Sequence, residues 1–316
     1  MDIFERMAKH EHEQLVLWSE PELGYKGIIA IHDTTLGPAL GGTRFWNYTS
    51  DEEAIVDSLR LARGMSYKAA VAGLNLGGGK SVIIGDNRTP YREMIFRAHG
   101  RAVESLGGRY ITAEDVGTSP DDMEYVLMET DSVVGIYGRS GDPSPVTAHG
   151  VYMGIKAAAM HRYGDDSLDG KHVAVQGLGN VGYYLCQYLT EEGARLSVTD
   201  IDAERVRRTV EDFDATPVET DEIYGVDADI FAPCALGAVI NDDTHKVFSF
   251  DILGGAANNQ WARTRHGNAI SEKGILSAPD YVINAGGLIN VYGEIKEWSP
   301  ERSQRKAGEI FQTLLQ

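Results

Sequence analysis

Apolar and polar positions along this chain switch between two spacings. Lys26 to His32 is a compact β-branched run that ends in the turn-like cluster Asp33-Thr34-Thr35, and it reads as a strand. From Glu52 to Arg63, Ala54, Ile55, Leu59 and Leu61 recur about a helical turn apart, behind a helix-start signal at Ser50-Asp51-Glu52-Glu53. Ser81 to Ile84 reads as a strand after three glycines, and Arg92 to Leu106 as a helix stopped by Gly107-Gly108. Tyr110 to Ala113 is then a strand running into a loop at Glu114 to Gly117. The Gly/Pro/Ser-rich stretch from Gly138 to Pro145 predicts a hinge. Beyond it the pattern is cleaner: a helix over 148–163, a strand over 172–176, a helix over 180–192 and a strand over 195–199. Alternating strands and helices imply a parallel sheet covered on both faces.

Length and composition narrow the class. At roughly 150 residues per domain, a chain of 316 residues is expected to form two domains or one large one. An apolar fraction of 42% and a charged fraction of 24% suit a folded chain and exclude global disorder. Twenty-nine Lys plus Arg against 47 Asp plus Glu leave a net charge of −18, which repels nucleic-acid backbones and anionic lipid surfaces. Two cysteines, Cys186 and Cys234, give neither a disulfide framework nor a Cys-based zinc site, and their apolar flanks predict buried thiols. His10-Glu11-His12 lacks metal-ligand spacing, so no metal is expected and the histidines are read as surface residues. Without an apolar leader at the N-terminus or an 18-residue uncharged span, the expectation is a cytoplasmic soluble protein.

Two glycine-rich segments carry candidate chemistry. Gly177-Leu178-Gly179-Asn180-Val181-Gly182 follows a strand directly and opens a helix, and the next strand ends at Asp200, 18 residues after Gly182. In that context Gly177 permits a tight turn, Gly179 lets backbone approach a pyrophosphate, and Gly182 lets helix pack on strand. The helix start offers free N–H groups and a positive dipole end. Asp200 is placed for a ribose diol. A carboxylate there repels a 2′-phosphate, and Ile201 follows where an arginine could have received one, so NAD is expected rather than NADP. Arg205, Arg207 and Arg208 read as a solvated helix face, and Tyr183, Tyr184 and Tyr188 as packing residues.

Gly77-Gly78-Gly79-Lys80-Ser81 superficially suggests a phosphate-binding P-loop. That motif needs a glycine at position 74, which is leucine, and a helix after Ser81, where Val-Ile-Ile follows. ATP binding is therefore rejected. What remains is a lysine at the start of a strand beside flexible backbone, with Lys68 earlier and Asp115 later in the chain.

These residues fall in longer segments: Gly37 to Arg44, Arg60 to Lys68, Gly73 to Lys80, Tyr110 to Asp115, Phe231 to Gly237 and Val282 to Gly287. In type and order the chain resembles the Glu/Leu/Phe/Val amino acid dehydrogenases, closest to the leucine/phenylalanine branch. The resemblance implies an N-terminal α/β substrate and oligomerisation domain over 1–137, with a C-terminal helix over 300–316 packing back on it. It also implies a Rossmann NAD-binding domain over 146–287 and a cleft between the two. Lys68 would bind the substrate α-carboxylate, Lys80 would be the general base that activates water, and Asp115 would exchange a proton with the amino group. The reaction implied is hydride loss from Cα, then hydrolysis of the iminium to ammonia and a 2-oxo acid. A lysine base near neutral pH needs its pKa lowered, here by burial and by the like charge of Lys68. Thr147, Ala235, Asn259 and Asn284 carry over as cofactor contacts. Asn258 stands where leucine dehydrogenases usually have aspartate, and His149 where they have tyrosine.

The implied side-chain pocket is Leu40, Gly41, Met65, Ala113, Leu288 and Val291, with no charge among them. Glutamate would leave a buried unpaired carboxylate there and is expected to be a poor substrate. One methylene discriminates by only about 1–3 kcal/mol in an apolar pocket. Branched-chain substrates with leucine first are expected, with phenylalanine or tryptophan as the alternative; a non-catalytic relative is disfavoured by the presence of Lys68, Lys80 and Asp115. The chain stops at Gln316, where relatives continue with more helix, and a homodimer or larger homo-oligomer is expected.

Overall fold

The computed structural model describes residues 2–137, 142–235 and 237–316, so the first half of the predicted hinge lies outside the described residues. The chain forms two units, one of residues 1–141 and 294–297, the other of residues 142–293 and 298–316.

The first unit runs α1 (Ile3–Lys9), β1 (Gln14–Glu20), β2 (Tyr25–Asp33), β3 (Ala39–Trp46), α2 (Asp51–Val71), β4 (Gly77–Ile84), α3 (Arg92–Glu104), β5 (Tyr110–Glu114) and α4 (Pro120–Leu127). Its sheet has the order β1-β2-β4-β3-β5. β4 lies antiparallel to β2 and parallel to β3, and β3 lies parallel to β5. The Ser50 side chain caps α2 by accepting from Glu53 N–H, with three acidic residues in the first turn complementing the helix dipole. The helix then runs past Arg63 and carries Lys68 in its last turn.

All three glycines before Lys80 belong to β4, so they are strand rather than flexible lead-in. The reason is close approach. A Cβ on Gly78 would lie 2.1 Å from Ser66 N and 2.4 Å from Ala62 O, the backbone of α2. One on Gly79 would lie 2.7 Å from the Tyr110 ring, and one on Gly77 would lie 1.9 Å from Asp33 O. Below this face sits a buried polar cluster. Thr43 Oγ1 meets Ser81 Oγ at 2.7 Å, Thr112 Oγ1 at 2.5 Å and His99 Nε2 at 2.9 Å, while Tyr25 OH meets His99 Nδ1 at 2.8 Å. His12, His32 and His99 are all buried, as is His266 in the second unit, which corrects the surface reading. Each has a hydrogen-bond partner that meets one ring nitrogen away from water.

The second unit runs α5 (Ser144–Tyr163), β6 (His172–Gln176), α6 (Asn180–Glu191), β7 (Arg195–Thr199), α7 (Ala203–Phe213), β8 (Thr216–Pro217), β9 (Ile230–Pro233), β10 (Ile252–Leu253), α8 (Thr264–Glu272), β11 (Leu276–Ser277), α9 (Asp280–Ile283), α10 (Gly286–Ile295), α11 (Pro300–Gly308) and α12 (Ile310–Leu315). Its sheet is parallel throughout, in the order β11-β10-β9-β6-β7-β8. Read from β8, that is the doubly wound order whose strand direction of travel reverses between β6 and β9, where such folds bind dinucleotides.

The C-terminal segment corrects an expectation. It forms two helices, and both belong to the second unit, where they pack on α5. Gly150 and Gly154 cut a notch in α5, and Ile310 and Leu314 fill it: Cβ atoms there would lie 2.8 and 3.1 Å from their methyl groups. Cys186 is buried in this unit's core and Cys234 packs at its edge, both as free thiols. Burial pushes the Cys234 thiol up to about 11. Among the described residues, no helix is long and apolar enough to cross a membrane, and no group of three or more His, Cys, Asp or Glu could hold a metal.

Candidate active site

In the first unit, Lys80 projects from the middle of β4, opposite Ala30 of β2, and is 5% exposed. Its Nζ lies 2.9 Å from Asp115 Oδ2, just past the end of β5. Gly42 permits this approach, because a Cβ there would lie 2.4 Å from Glu114 O and 2.8 Å from the Asp115 Cβ. Asp115 N–H donates to Thr118 Oγ1, which fixes the loop. The structure therefore brings together two of the residues that sequence proposed for chemistry, 35 positions apart.

Burial pushes Lys80 below the ordinary lysine range; Asp115 opposes the shift and Arg44 adds to it. For Asp115 burial works upward, but Lys80 and Arg44 outweigh it and hold the carboxyl below its usual value. Arg44 is a like charge acting on Lys80 that sequence reasoning did not name. Lys68 itself is half-buried in the last turn of α2.

Arg44 was not picked out from sequence. Its Nε donates to Asp115 Oδ2 at 3.1 Å, and its Nη1 to Asp57 Oδ2 at 2.9 Å. Asp57 also accepts from Tyr48 OH at 2.8 Å and Arg60 Nη2 at 2.9 Å. Arg44 and Arg60 stand at the ends of two segments that carry the family resemblance, and that position was the available signal.

Leu40, Gly41 and Ala113 lie on the neighbouring strands β3 and β5, where Gly42 pairs with Ala113, and Met65 lies on α2. Leu40 and Ala113 are buried and Met65 is half-buried. Leu288 and Val291 are on α10 in the second unit.

The second unit assembles the predicted dinucleotide contacts at the β6–β9 switch. Gly177 has φ +94°, a left-handed backbone that favours glycine, and a Cβ on it would lie 2.7 Å from Ala235 N. On Gly182 a Cβ would lie 1.9 Å from Gly177 O, whereas Gly179 has open space with only Arg205 Nη1 at 3.8 Å. Asn180 and Val181 begin α6, directing its N-terminal N–H groups toward the turn. Asp200 Oδ2 accepts from Leu178 N–H at 2.6 Å and Oδ1 from Asp202 N–H at 2.9 Å, so its carboxylate is fixed beside the turn.

The remaining cofactor candidates gather at the start of α5. Thr147 Oγ1 donates to Pro143 O at 2.9 Å, and a Cβ on Gly287 would lie 3.2 Å from that hydroxyl. Asn284 Nδ2 donates to Asn258 Oδ1 at 2.7 Å and to Ala256 O at 3.0 Å, while its Oδ1 is buried without a partner. Asn258 thus supplies the oxygen an aspartate would have supplied. Asn259 sits nearby at φ +50°. His149 packs beside Tyr152 and Tyr188, outside this cluster. The open floor at Gly179, the fixed Asp200 and the orphaned Asn284 Oδ1 fit a bound dinucleotide.

A buried lysine–aspartate pair in one α/β unit and a nucleotide-type glycine turn in the other define a Rossmann-type dehydrogenase. Residues 12–132 match the Glu/Leu/Phe/Val dehydrogenase dimerisation domain, and residues 138–203 and 197–313 match glutamate/leucine/phenylalanine/valine dehydrogenase, so the chain belongs to this family of amino acid dehydrogenases. It is 59% identical to a leucine dehydrogenase from Bacillus subtilis over 98% of this chain and 86% of that one. An L-tryptophan dehydrogenase from Nostoc punctiforme is 49% identical over 100% of this chain and 89% of its own length. A crystal structure of L-tryptophan dehydrogenase from Nostoc punctiforme superposes with a TM-score of 0.89, at 48% identity, covering 99% of this chain and 90% of that one. A hetero-hexameric glutamate dehydrogenase from Thermus thermophilus, 22% identical with a TM-score of 0.78 and covering 99% and 87%, shares the fold alone.

Proposed function

We propose that this protein catalyses the reversible NAD-dependent oxidative deamination of branched-chain aliphatic L-amino acids, leucine first, to the 2-oxo acid and ammonia. The observation that carries the reading is the Lys80–Asp115 pair at 2.9 Å. It occurs in a chain 59% and 57% identical to leucine dehydrogenases of Bacillus subtilis and Bacillus cereus over almost its whole length. A nicotinamide cofactor supplies the hydride acceptor. Lys68 pairs with the substrate α-carboxylate. Lys80, lowered by burial, takes the proton of the water that attacks Cα of the iminium. Asp115, held ionised by two cations, exchanges a proton with the amino nitrogen.

NAD is favoured over NADP because the Asp200 carboxylate would repel a 2′-phosphate beside the glycine turn. Leu40, Gly41, Met65, Ala113, Leu288 and Val291 offer no cation for a γ-carboxylate, which disfavours glutamate. The aromatic alternative has a specific support, the 49% identity to an L-tryptophan dehydrogenase. The active form is a homo-oligomer, a dimer at least, measurable by light scattering. A panel of leucine, valine, phenylalanine, tryptophan and glutamate with NAD and NADP, followed by reduced-cofactor absorbance, tests the reading. Leucine with NAD is expected to give the highest kcat/KM; an aromatic preference would replace the substrate, and a glutamate preference would remove the pocket argument.

A further inference from the structure

We propose that Arg44 and Asp57 are positioning residues for this reaction: Asp57 holds the Arg44 guanidinium on Asp115 Oδ2, so that Lys80 shares that oxygen instead of owning it. The proposal rests on the reading of Lys80 as base.

The geometry is a branched chain of charges through three elements. Lys80 Nζ at 2.9 Å and Arg44 Nε at 3.1 Å reach the same carboxylate oxygen. Arg44 is pulled the other way by Asp57 at 2.9 Å, and Asp57 is itself anchored by Arg60 and Tyr48. A lysine alone with a buried carboxylate would keep its proton, since the charged form is the one the pair stabilises. A guanidinium is a permanent cation with donors at fixed angles, so it can occupy the carboxylate without ever competing for the proton. Arg44 thus satisfies Asp115 in both protonation states of Lys80.

The charged groups that act on Lys80 are Asp115 after β5, Arg44 on β3 and Asp57 on α2, and Arg60 and Lys68 are carried by the same helix as Asp57. Tyr110 of β5 donates to Gly41 O and Ser81 Oγ, and β2 presents only Ala30 opposite. Within this set Arg44 and Asp57 act on Lys80 with opposite sign, Arg44 favouring the neutral amine and Asp57 the charged one. That opposition gives a test that loss of packing cannot imitate.

The full-length variants Arg44→Met, Arg44→Lys and Asp57→Asn are compared with the unmutated protein by two readouts. One is the titration of Lys80 by NMR of carbon-labelled lysine methylenes. The other is the rising limb of kcat/KM against pH for leucine oxidation. Arg44→Met is expected to move both to higher pH by about one unit, and Arg44→Lys to restore part of that shift. Asp57→Asn keeps an amide oxygen that accepts from Arg44 Nη1 and so leaves the guanidinium on Asp115 while removing the negative charge, and it is expected to move both to lower pH. Should Arg44→Met not fold, the isosteric Asp57→Asn decides by its sign. Shifts of one sign in both charge-removing variants, or an unmoved or upward Lys80 titration in Asp57→Asn, overturn the proposal. Opposite titration shifts with an unmoved kcat/KM limb leave the positioning pair standing and remove Lys80 as the base.

Discussion

Both units use a run of glycines beside their chemistry, and they use it for opposite reasons. In the Rossmann unit the glycines belong to a turn. Gly177 needs a left-handed φ of +94°, and Gly179 leaves a space that protein atoms do not fill. In the first unit Gly77, Gly78 and Gly79 sit in an ordinary strand with no positive φ, and every Cβ position is already taken by α2, β2 or the Tyr110 ring. At Gly179 the missing side chain leaves open space. The glycines of β4 make room for the protein itself, drawing α2 and β3 against β4 so that Lys80 is enclosed near Asp115. Glycine content alone therefore says little about phosphate binding; the neighbours of the absent Cβ decide.

The contrast can be broken most forcefully at the enclosed lysine. Lys80→Ala should lower kcat by about 10²–10⁴-fold, the usual contribution of a general base, while cofactor affinity measured by fluorescence titration stays as it was. Retained turnover would show that enclosure serves stability rather than chemistry.

A matched pair of glycine variants sharpens the comparison. Gly78→Ala forces a methyl into the α2 backbone and should cost about 1–3 kcal/mol of stability, read in denaturant melts, with activity falling as Lys80 is displaced. Gly179→Ala meets no atom closer than 3.8 Å, so its melt should match the unmutated protein while the Kd for NAD rises. Equal destabilisation by the two would erase the distinction drawn here.

The smallest effect is expected at Asp200. Asp200→Ser removes a charge beside the turn and should narrow the preference for NAD over NADP in kcat/KM, mainly by improving NADP. An unchanged ratio would place the discrimination elsewhere, with Arg205 the nearest cation, its Nη1 3.9 Å from the carboxylate.

What was legible in the sequence follows the same division. The strands over 172–176 and 195–199 were placed to the residue, because a β-branched run, a glycine turn and a helix start leave local marks. β3 and the first half of β4 were not placed as strands. Glycine has low strand preference, and the forces that extend these segments come from residues distant in the chain. Lys80 and Asp115, which meet in the structure, were singled out through motif resemblance, and the glycine turn with Asp200 through its strand–turn–helix context. The link from Arg44 to Asp57 escaped because it joins a strand to a helix, and neither residue signals the other in sequence. The histidines were misread for a related reason: a buried His is tolerated wherever its partners wait, and Tyr25, Thr43 and Ser66 are 74, 56 and 34 positions from the rings they serve.

His99, closed in among Tyr25, Thr43 and Ser81, gives the first unit a sensitivity to acid. Burial holds the folded ring's pKa down to about 3, against an ordinary value of 6.5. As pH falls below about 6.5, the unfolded chain takes up a proton that the folded chain refuses until near pH 3. Folding free energy then declines by about 1.4 kcal/mol per pH unit from this one ring. The hydroxyl cluster under β4 is thus an acid threshold for the fold, set by one buried ring.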